Sequence, residues 1–373
     1  MKNISKLFGI VLLVLACVSS AMAQTVINLG VAAATGGKIY VFWPAGDTNF
    51  ILQKAASANS TNWVTVTGQT QLTGVGLTNT PPSEFFRLYM NTNVPAGTQQ
   101  IPGGTFTMGD TLDGEADATP VSVTVNSFYM DMNLVSYAQW QAVYGWATTH
   151  GYGFVNAGES KGTNSNYPAQ SVDWYDAVKW SNARSQQAGL IPVYYTEAAF
   201  THVYTNGEAA PYVNWGASGF RLPTEAEWEM AARGGLTGQR FPWGNTINNE
   251  VNANYYGYPA GDLYGLPYDL GTPAYATFFY TPPVPYTSPV GFYPANGFGL
   301  YDMAGNVNEW CWDWYGTPYA GGANPQGPAT GTYRIIRGGD YKDSAADARC
   351  ADRQSDGPTF ASTTVGFRCV KGL

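Results

Sequence analysis

The sequence predicts an α+β fold: a loop-rich domain of short helices and antiparallel strands, preceded by a small all-β sandwich. Three observations carry that expectation. First, 44 Gly and 23 Pro among 373 residues punctuate the chain too often for long elements. Second, 12 Trp, 26 Tyr and 17 Phe supply a packed interior that a disordered chain rich in Gly and Pro lacks. Third, short β-branched and aromatic runs in the first quarter give way to short amphipathic helices set among Gly/Tyr/Trp-rich stretches. The length matches about two domains at roughly 100–200 residues each.

Residues 1–23 read as a signal peptide. Lys2 and Lys6 precede the apolar run Leu7 to Ala16, and Ala21-Met22-Ala23 supplies a small-residue cleavage site. That run is too short for the ~20 apolar residues a spanning helix needs, and no second run is long enough, so no transmembrane segment is expected. The expected location is secreted or periplasmic. Val14-Leu15-Ala16-Cys17 also resembles a lipoprotein box, with lipidation at Cys17 as the minor alternative. Residues 24–91 read as a β-sandwich module. Its strand candidates are Lys38–Trp43, Phe50–Gln53, Trp63–Val66 and Phe85–Tyr89, separated by Gly/Asn/Ser/Thr turns. The module resembles small fibronectin-like units, and nothing in it is catalytic. Residues 92–97 form a linker, and residues 98–373 form the main domain.

Three helices are expected in that domain. One starts near Ser136 and carries Trp140, Val143 and Tyr144; a second starts at Asp173 and ends near Gly189. The third opens with the capping box Thr224-Glu225-Ala226-Glu227, in which each side chain satisfies an otherwise orphan amide, and it ends at Gly234-Gly235. Capping accounts for Glu227, so Glu225 and Glu227 are not read as an acid/base pair.

The charge is −8, with a sequence pI near 4.7 and 18 Lys+Arg dispersed along the chain. Nucleic acid is excluded as a partner, because no cation cluster is available to displace counterions. Two histidines, His150 and His202, exclude a three-histidine metal site. Also absent are a G-x-S-x-G elbow, an H-E-x-x-H helix, a P-loop and a dinucleotide fingerprint.

The most specific signal is an ordered series of motifs. It runs Gly103–Gly109, Val172–Ala177, Gly219–Glu229 (Gly-Phe-Arg-Leu-Pro-Thr-Glu-Ala-Glu-Trp-Glu), Phe241–Asn245, Gly297–Trp310, Arg334–Asp340 and Gly366–Arg368. Together, over residues 98–373, these resemble the sulfatase-modifying-factor family, the formylglycine-generating-enzyme domain. The resemblance implies a C-type-lectin-related fold. It implies a structural calcium ion on the side chains of Asp302 and Glu309 and the carbonyls of Gly305 and Val307, oxygen donors that suit calcium. A weaker second calcium site would use Asn254 and Tyr255.

Active members of the family bind copper(I) with two cysteines just beyond an Arg-Gly-Gly-Ser segment, and oxidise the cysteine of a C-x-P-x-R motif in sulfatases. Here Arg337-Gly338-Gly339 is followed by Asp340, and Asp343 with Ser344 or Ala345 falls where the pair would stand. Soft thiolates suit copper(I) and no other side chain here replaces a pair of them, so copper is not expected. Arg337, Asp340 and Asp343 are the expected groove residues. Cys311, Cys350 and Cys369 remain after processing. A Cys311–Cys350 disulfide is the first expectation and Cys350–Cys369 the second, with buried free thiols the remaining alternative. Tyr255, Tyr256, Tyr258, Tyr264 and Tyr268, in a Gly/Pro-rich insertion, are the better candidates among the aromatics for a recognition surface, although loop packing is the first reading even there.

Three functions follow, in order. The first is a non-catalytic family member that recognises a peptide or glycan, the second a formylglycine-generating oxidase, and the third a structural component of the cell surface. Whether the chain is an enzyme stays open at this point.

Overall fold

The structure is a computed structural model that describes residues 94–373 apart from 161–164, 264 and 282–283, together with the backbone of six strands ahead of them. The chain divides into two compact units, residues 1–96 and 97–373. In the first unit, Gly30–Ala33, Ile39–Phe42 and Gly74–Leu77 form one three-stranded antiparallel sheet. Phe50–Ala55, Val64–Thr65 and Phe85–Met90 form another, in which Phe50 lies opposite Met90 and Ala55 opposite Phe85. Residues 1–29, with the expected signal peptide and Cys17, lie outside the described residues. No helix among the described residues is long and apolar enough to cross a membrane.

In the second unit three helices start where their caps dictate. Helix α1, Tyr137–Thr148, is capped by Ser136, whose hydroxyl accepts from the Gln139 amide. Helix α2, Trp174–Gln187, is capped by Asp173. Helix α3, Glu225–Ala232, has both halves of its capping box formed, worth about 1 kcal/mol. Gly234 and Gly235 end it at φ of +55° and +86°, conformations that residues with a Cβ adopt only under strain.

Two aromatic-rich cores hold the domain. Between α1, α2 and the central sheet, the Trp140 and Trp180 rings lie parallel at 5.9 Å, and Phe367 meets both edge-on. Beneath α3, Trp228 packs with Leu300, Met303, Cys311, Ile335 and Cys350. Each fully buried large side chain of this kind contributes about 1.5–3 kcal/mol. Trp174, Trp310 and Trp228 are all fully buried, so these three motif tryptophans build the interior.

The central sheet sets the site. Asn308–Trp314 pairs with Arg334–Arg337 on one side, placing Glu309 opposite Arg337, and with the parallel strand Val365–Gly366 on the other. Gln354–Asp356 extends the sheet beyond Arg334–Arg337. Gly338 and Gly339, at φ of +99° and +70°, turn the chain out of the sheet toward Asp340–Asp343.

Cys311, Cys350 and Cys369 are three buried free thiols, which corrects the expected Cys311–Cys350 disulfide. Each sulfur occupies its own place in the packing as a small hydrophobe. Cys311 Sγ approaches the Glu309 carbonyl at 3.9 Å, and Cys369 Sγ lies 3.4 Å from Ser181 Oγ in the other core. Burial pushes Cys350 and Cys369 up to about 12 and Cys311 well above its ordinary value, so none is a ready thiolate.

Candidate functional site

Asp340 and Asp343 come together at the end of the Gly338-Gly339 turn, and Asn308 organises them. Its Nδ2 donates to Asp343 Oδ2 at 3.1 Å and lies 3.4 Å from Asp340 Oδ2, while its Oδ1 accepts from the Gly339 amide at 3.0 Å. Asp343 Oδ2 also accepts from the Asp340 amide at 3.0 Å, and Asp340 Oδ1 from the Lys342 amide at 2.6 Å. Burial, and then the adjacent Asp343, pushes the Asp340 carboxyl up to about 7. Burial and then Asp347 raise Asp343 as well. The two acids are therefore held in a state where one proton is retained far more readily than by a free carboxylate.

A cluster of tyrosines is joined to this turn. The Tyr256 amide donates to the Asp343 carbonyl at 2.8 Å, which ties the insertion to the acidic turn. From Tyr256, ring contacts run to Tyr258 at 4.7 Å and to Tyr275 at 4.6 Å, and from Tyr275 to Tyr280 at 5.3 Å. All four side chains are half-buried. The exposed Lys342 places its Nζ 5.1 Å from the Tyr341 ring centre.

Other candidate recognition residues are elsewhere. Arg337 is fully buried, which removes it from the groove. Its Nη2 donates to Glu229 Oε2 at 2.5 Å and to the Cys350 carbonyl at 2.9 Å, because a guanidinium beneath the sheet needs a buried carboxylate to neutralise it. Tyr255 is buried and donates to Asp269 Oδ1 at 2.5 Å, and Tyr268 is a core residue under the Arg240 guanidinium at 4.8 Å. Tyr264 lies outside the described residues. Sequence reasoning missed Asn308, Tyr275 and Tyr280. Asn308 had a signal in the Asn306-Val307-Asn308 run; the two tyrosines reach the face only through short strand pairs that local patterning does not specify.

Ser344 Oγ donates to Asp347 Oδ2 at 2.6 Å, so it is a turn residue and not an activated nucleophile. Glu225 is held by Arg353 at 2.7 and 2.8 Å, and Glu227 by Arg221 at 2.6 and 2.6 Å. A copper(I) thiolate pair does not fit this face, whose side chains offer carboxylate, amide and phenol oxygens, while the thiols are buried apart from it.

The loop before the central strand holds the expected calcium donors. Asp302 and Asn306 sit at φ of +54° and +71°, and Gly305 at +72°. A Cβ on Gly305 would stand 2.4 Å from the Asn254 carbonyl oxygen, so the loop closes only with glycine there. Asp302 is 4% exposed and has no ion-pair partner among the described residues; its Oδ2 accepts from the Gly291 amide at 2.7 Å. Burial pushes it up to about 6, against the lowering effect of the Gly291 amide and of the nearby Arg368. Both Glu309 oxygens accept from Arg368, at 2.7 and 2.9 Å, so Glu309 can offer only its remaining lone pairs. The described backbone hydrogen bonds leave the Gly305 and Val307 carbonyls free. These donors are all hard oxygens, the type calcium takes. The second set does not fit. Beside Asn254 and Tyr255, the Asp269 carboxylate already accepts from Tyr255 Oη, from the Tyr258 amide at 2.6 Å and from the Gly271 amide at 2.9 Å.

Comparison with known proteins follows the same lines. Residues 88–373 match the model of the sulfatase-modifying factor enzyme 1-like domain. Formylglycine-generating enzyme of Mus musculus is 34% identical over 290 residues, 72% of this chain and 73% of the mouse protein. The serine/threonine-protein kinase pkn1 of Chlamydia caviae is 34% identical over 282 residues, 73% of this chain; the match spans only 37% of that relative. Among solved structures, Treponema denticola variable protein 1 superposes with a TM-score of 0.57 at 27% identity, covering 74% of this chain and 95% of that one. Fold, motif order and similarity agree: the chain belongs to the sulfatase-modifying factor enzyme 1-like family.

Proposed function

We propose that this chain is an exported, divergent member of its family that recognises a peptide or glycan and does not oxidise cysteine. The observation that carries the reading is the composition of the Asp340–Asp343 turn. Where the family's resemblance calls for two copper-binding thiols, this chain has Asp343 with Ser344 and Ala345, each engaged in the turn or packed beneath it. A carboxylate pair flanked by four tyrosines suits a basic side chain of an extended peptide: the acids supply charge, and the ring faces supply cation–π attraction of about 0.5–2 kcal/mol. Lys342 over Tyr341 is the same pairing within the chain.

In this reading calcium is structural. Asp302 and Glu309, with the carbonyls of Gly305 and Val307, would hold it, and it would neutralise buried charge in the loop that positions Asn308. The export proposal rests on the N-terminal sequence.

A fluorescent library of short Lys- and Arg-containing peptides, read by anisotropy against the full chain, tests the proposal. A saturable signal that is lost in Asp340→Asn and in Tyr256→Ala supports it. Uniform non-binding, with a folded protein, overturns it in favour of a structural component.

A further inference from the structure

A cleft of about 360 Å³ opens between the end of the Val121–Val125 strand, the loop after Gly322–Ala323 and the first turn of α3. Its volume falls within the range of small-molecule sites. It shares no lining side chain with the Asp340–Asp343 face.

The chemistry of its walls is specific. Trp215 lines the cleft and stays 37% exposed. It is nonetheless fixed, with the Arg221 guanidinium 5.1 Å from its ring centre and the Trp312 ring edge-on at 5.9 Å. A rigid indole with an open surface is a stacking platform. The charged side chains of the lining, Arg221 and Glu227, cancel one another through two 2.6 Å hydrogen bonds, and the Glu227 carboxylate also accepts from the Thr224 amide at 2.8 Å. No unpaired side-chain charge is left among the lining residues.

Three residues with side-chain amides, Asn126, Asn324 and Gln326, line the same cleft. Among the described hydrogen bonds only Asn324 Oδ1 is engaged, accepting from the Asn126 amide at 2.8 Å. That bond holds Asn324 at φ +45°, a left-handed conformation uncommon for any residue but glycine. The remaining amide groups offer acceptors and paired N–H donors, which match hydroxyls that donate and accept at once.

We infer that this cleft binds a neutral saccharide, with a pyranose face on Trp215 and its hydroxyls on the amides of Asn126, Asn324 and Gln326. The inference rests on the recognition reading above and gives its glycan part a separate place from the peptide face.

Saturation-transfer NMR of the full chain with cellobiose, maltose, lactose and chitobiose, followed by calorimetric titration of any hit, tests it. The expected result is saturable binding of at least one disaccharide. Trp215→Ala should weaken it about tenfold or more, the loss of one stacked aromatic, with a smaller loss in Gln326→Ala. Asp340→Asn should leave sugar binding unchanged, so failure of the peptide reading and failure of this one are separable. Gln326 is exposed, so its variant keeps the test valid if Trp215→Ala fails to fold. Absence of transfer from all four sugars, or equal affinity in the wild type and both cleft variants, overturns the inference.

Discussion

Replacing Glu229 by Gln changes one atom type in the most heavily charged part of the interior. Glu229 is fully buried at the centre of a network: Oε1 accepts from the Gly109 amide at 2.7 Å and from Arg233 at 2.7 and 2.9 Å, and Oε2 from Arg337 at 2.5 Å and Tyr319 at 3.3 Å. Burial pushes its carboxyl up, but Arg233 and Arg337 outweigh burial and leave it below its ordinary value of 4.5. Gln keeps the shape and an acceptor, yet leaves two buried guanidinium groups short of a counter-charge. Breaking a buried pair from one side costs about 3–5 kcal/mol. At about 2 °C per kcal/mol for a domain of this size, the midpoint should fall by about 6–10 °C.

The sign of the pH dependence follows from the lowered value. The Glu229 contribution is complete above 4.5 and is lost as pH falls through the folded-state value below it, so the gap between wild type and Glu229→Gln should narrow on acidification. Thermal unfolding by circular dichroism between pH 7 and 3.5 measures both. Peptide binding at pH 7, read well below the midpoint, should be unchanged, because Arg337 lies beneath the sheet. A midpoint shift under about 2 °C would show that Glu229 does not neutralise Arg233 and Arg337 in the interior, as would a binding loss without a stability loss.

Further expectations follow from the same contacts. Cys311, Cys350 and Cys369 should be silent to a thiol reagent in the folded domain and all three titratable after unfolding without reductant; a single reactive thiol would mean that a disulfide forms. Asp340→Asn should stabilise the domain at pH 8. A carboxyl raised to about 7 contributes full stability below its unfolded value near 3.8 and loses it as pH rises through 7, so at roughly 1.4 kcal/mol per unit the gain is about 4 kcal/mol, vanishing near pH 4. Equal denaturation midpoints of the two proteins at pH 8 would contradict this. Calcium should raise the wild-type midpoint relative to chelator, and Gly305→Ala should abolish that increment, because its Cβ meets the Asn254 carbonyl and distorts the loop. An increment that survives Gly305→Ala would place the ion elsewhere.

What the sequence made legible was local. Ser136, Asp173 and Thr224 each start a helix because a cap and its amide lie within three residues, and that signal needs no tertiary context. The place of Asp340 and Asp343 beside one another was likewise readable, since four residues after a double glycine cannot go far. Arg337 was misread because its exposure depends on Glu229, more than a hundred residues away, and nothing in the Arg-Gly-Gly segment reveals which face of the sheet its side chain takes. The cysteines were misread because pairing was inferred from shared core membership, whereas a disulfide needs one specific geometry. The Trp215 cleft was not legible at all, since it joins segments separated by about a hundred residues in each direction.

The proposal that this family member recognises and does not oxidise is tested by mass spectrometry of a C-x-P-x-R peptide after incubation with the full chain, oxygen and copper(I), beside a proven formylglycine-generating enzyme. An unchanged cysteine with this chain and conversion in the control are expected. Formylglycine formed by this chain would contradict it and would mean that the Asp340–Cys350 segment builds an active site without the thiol pair.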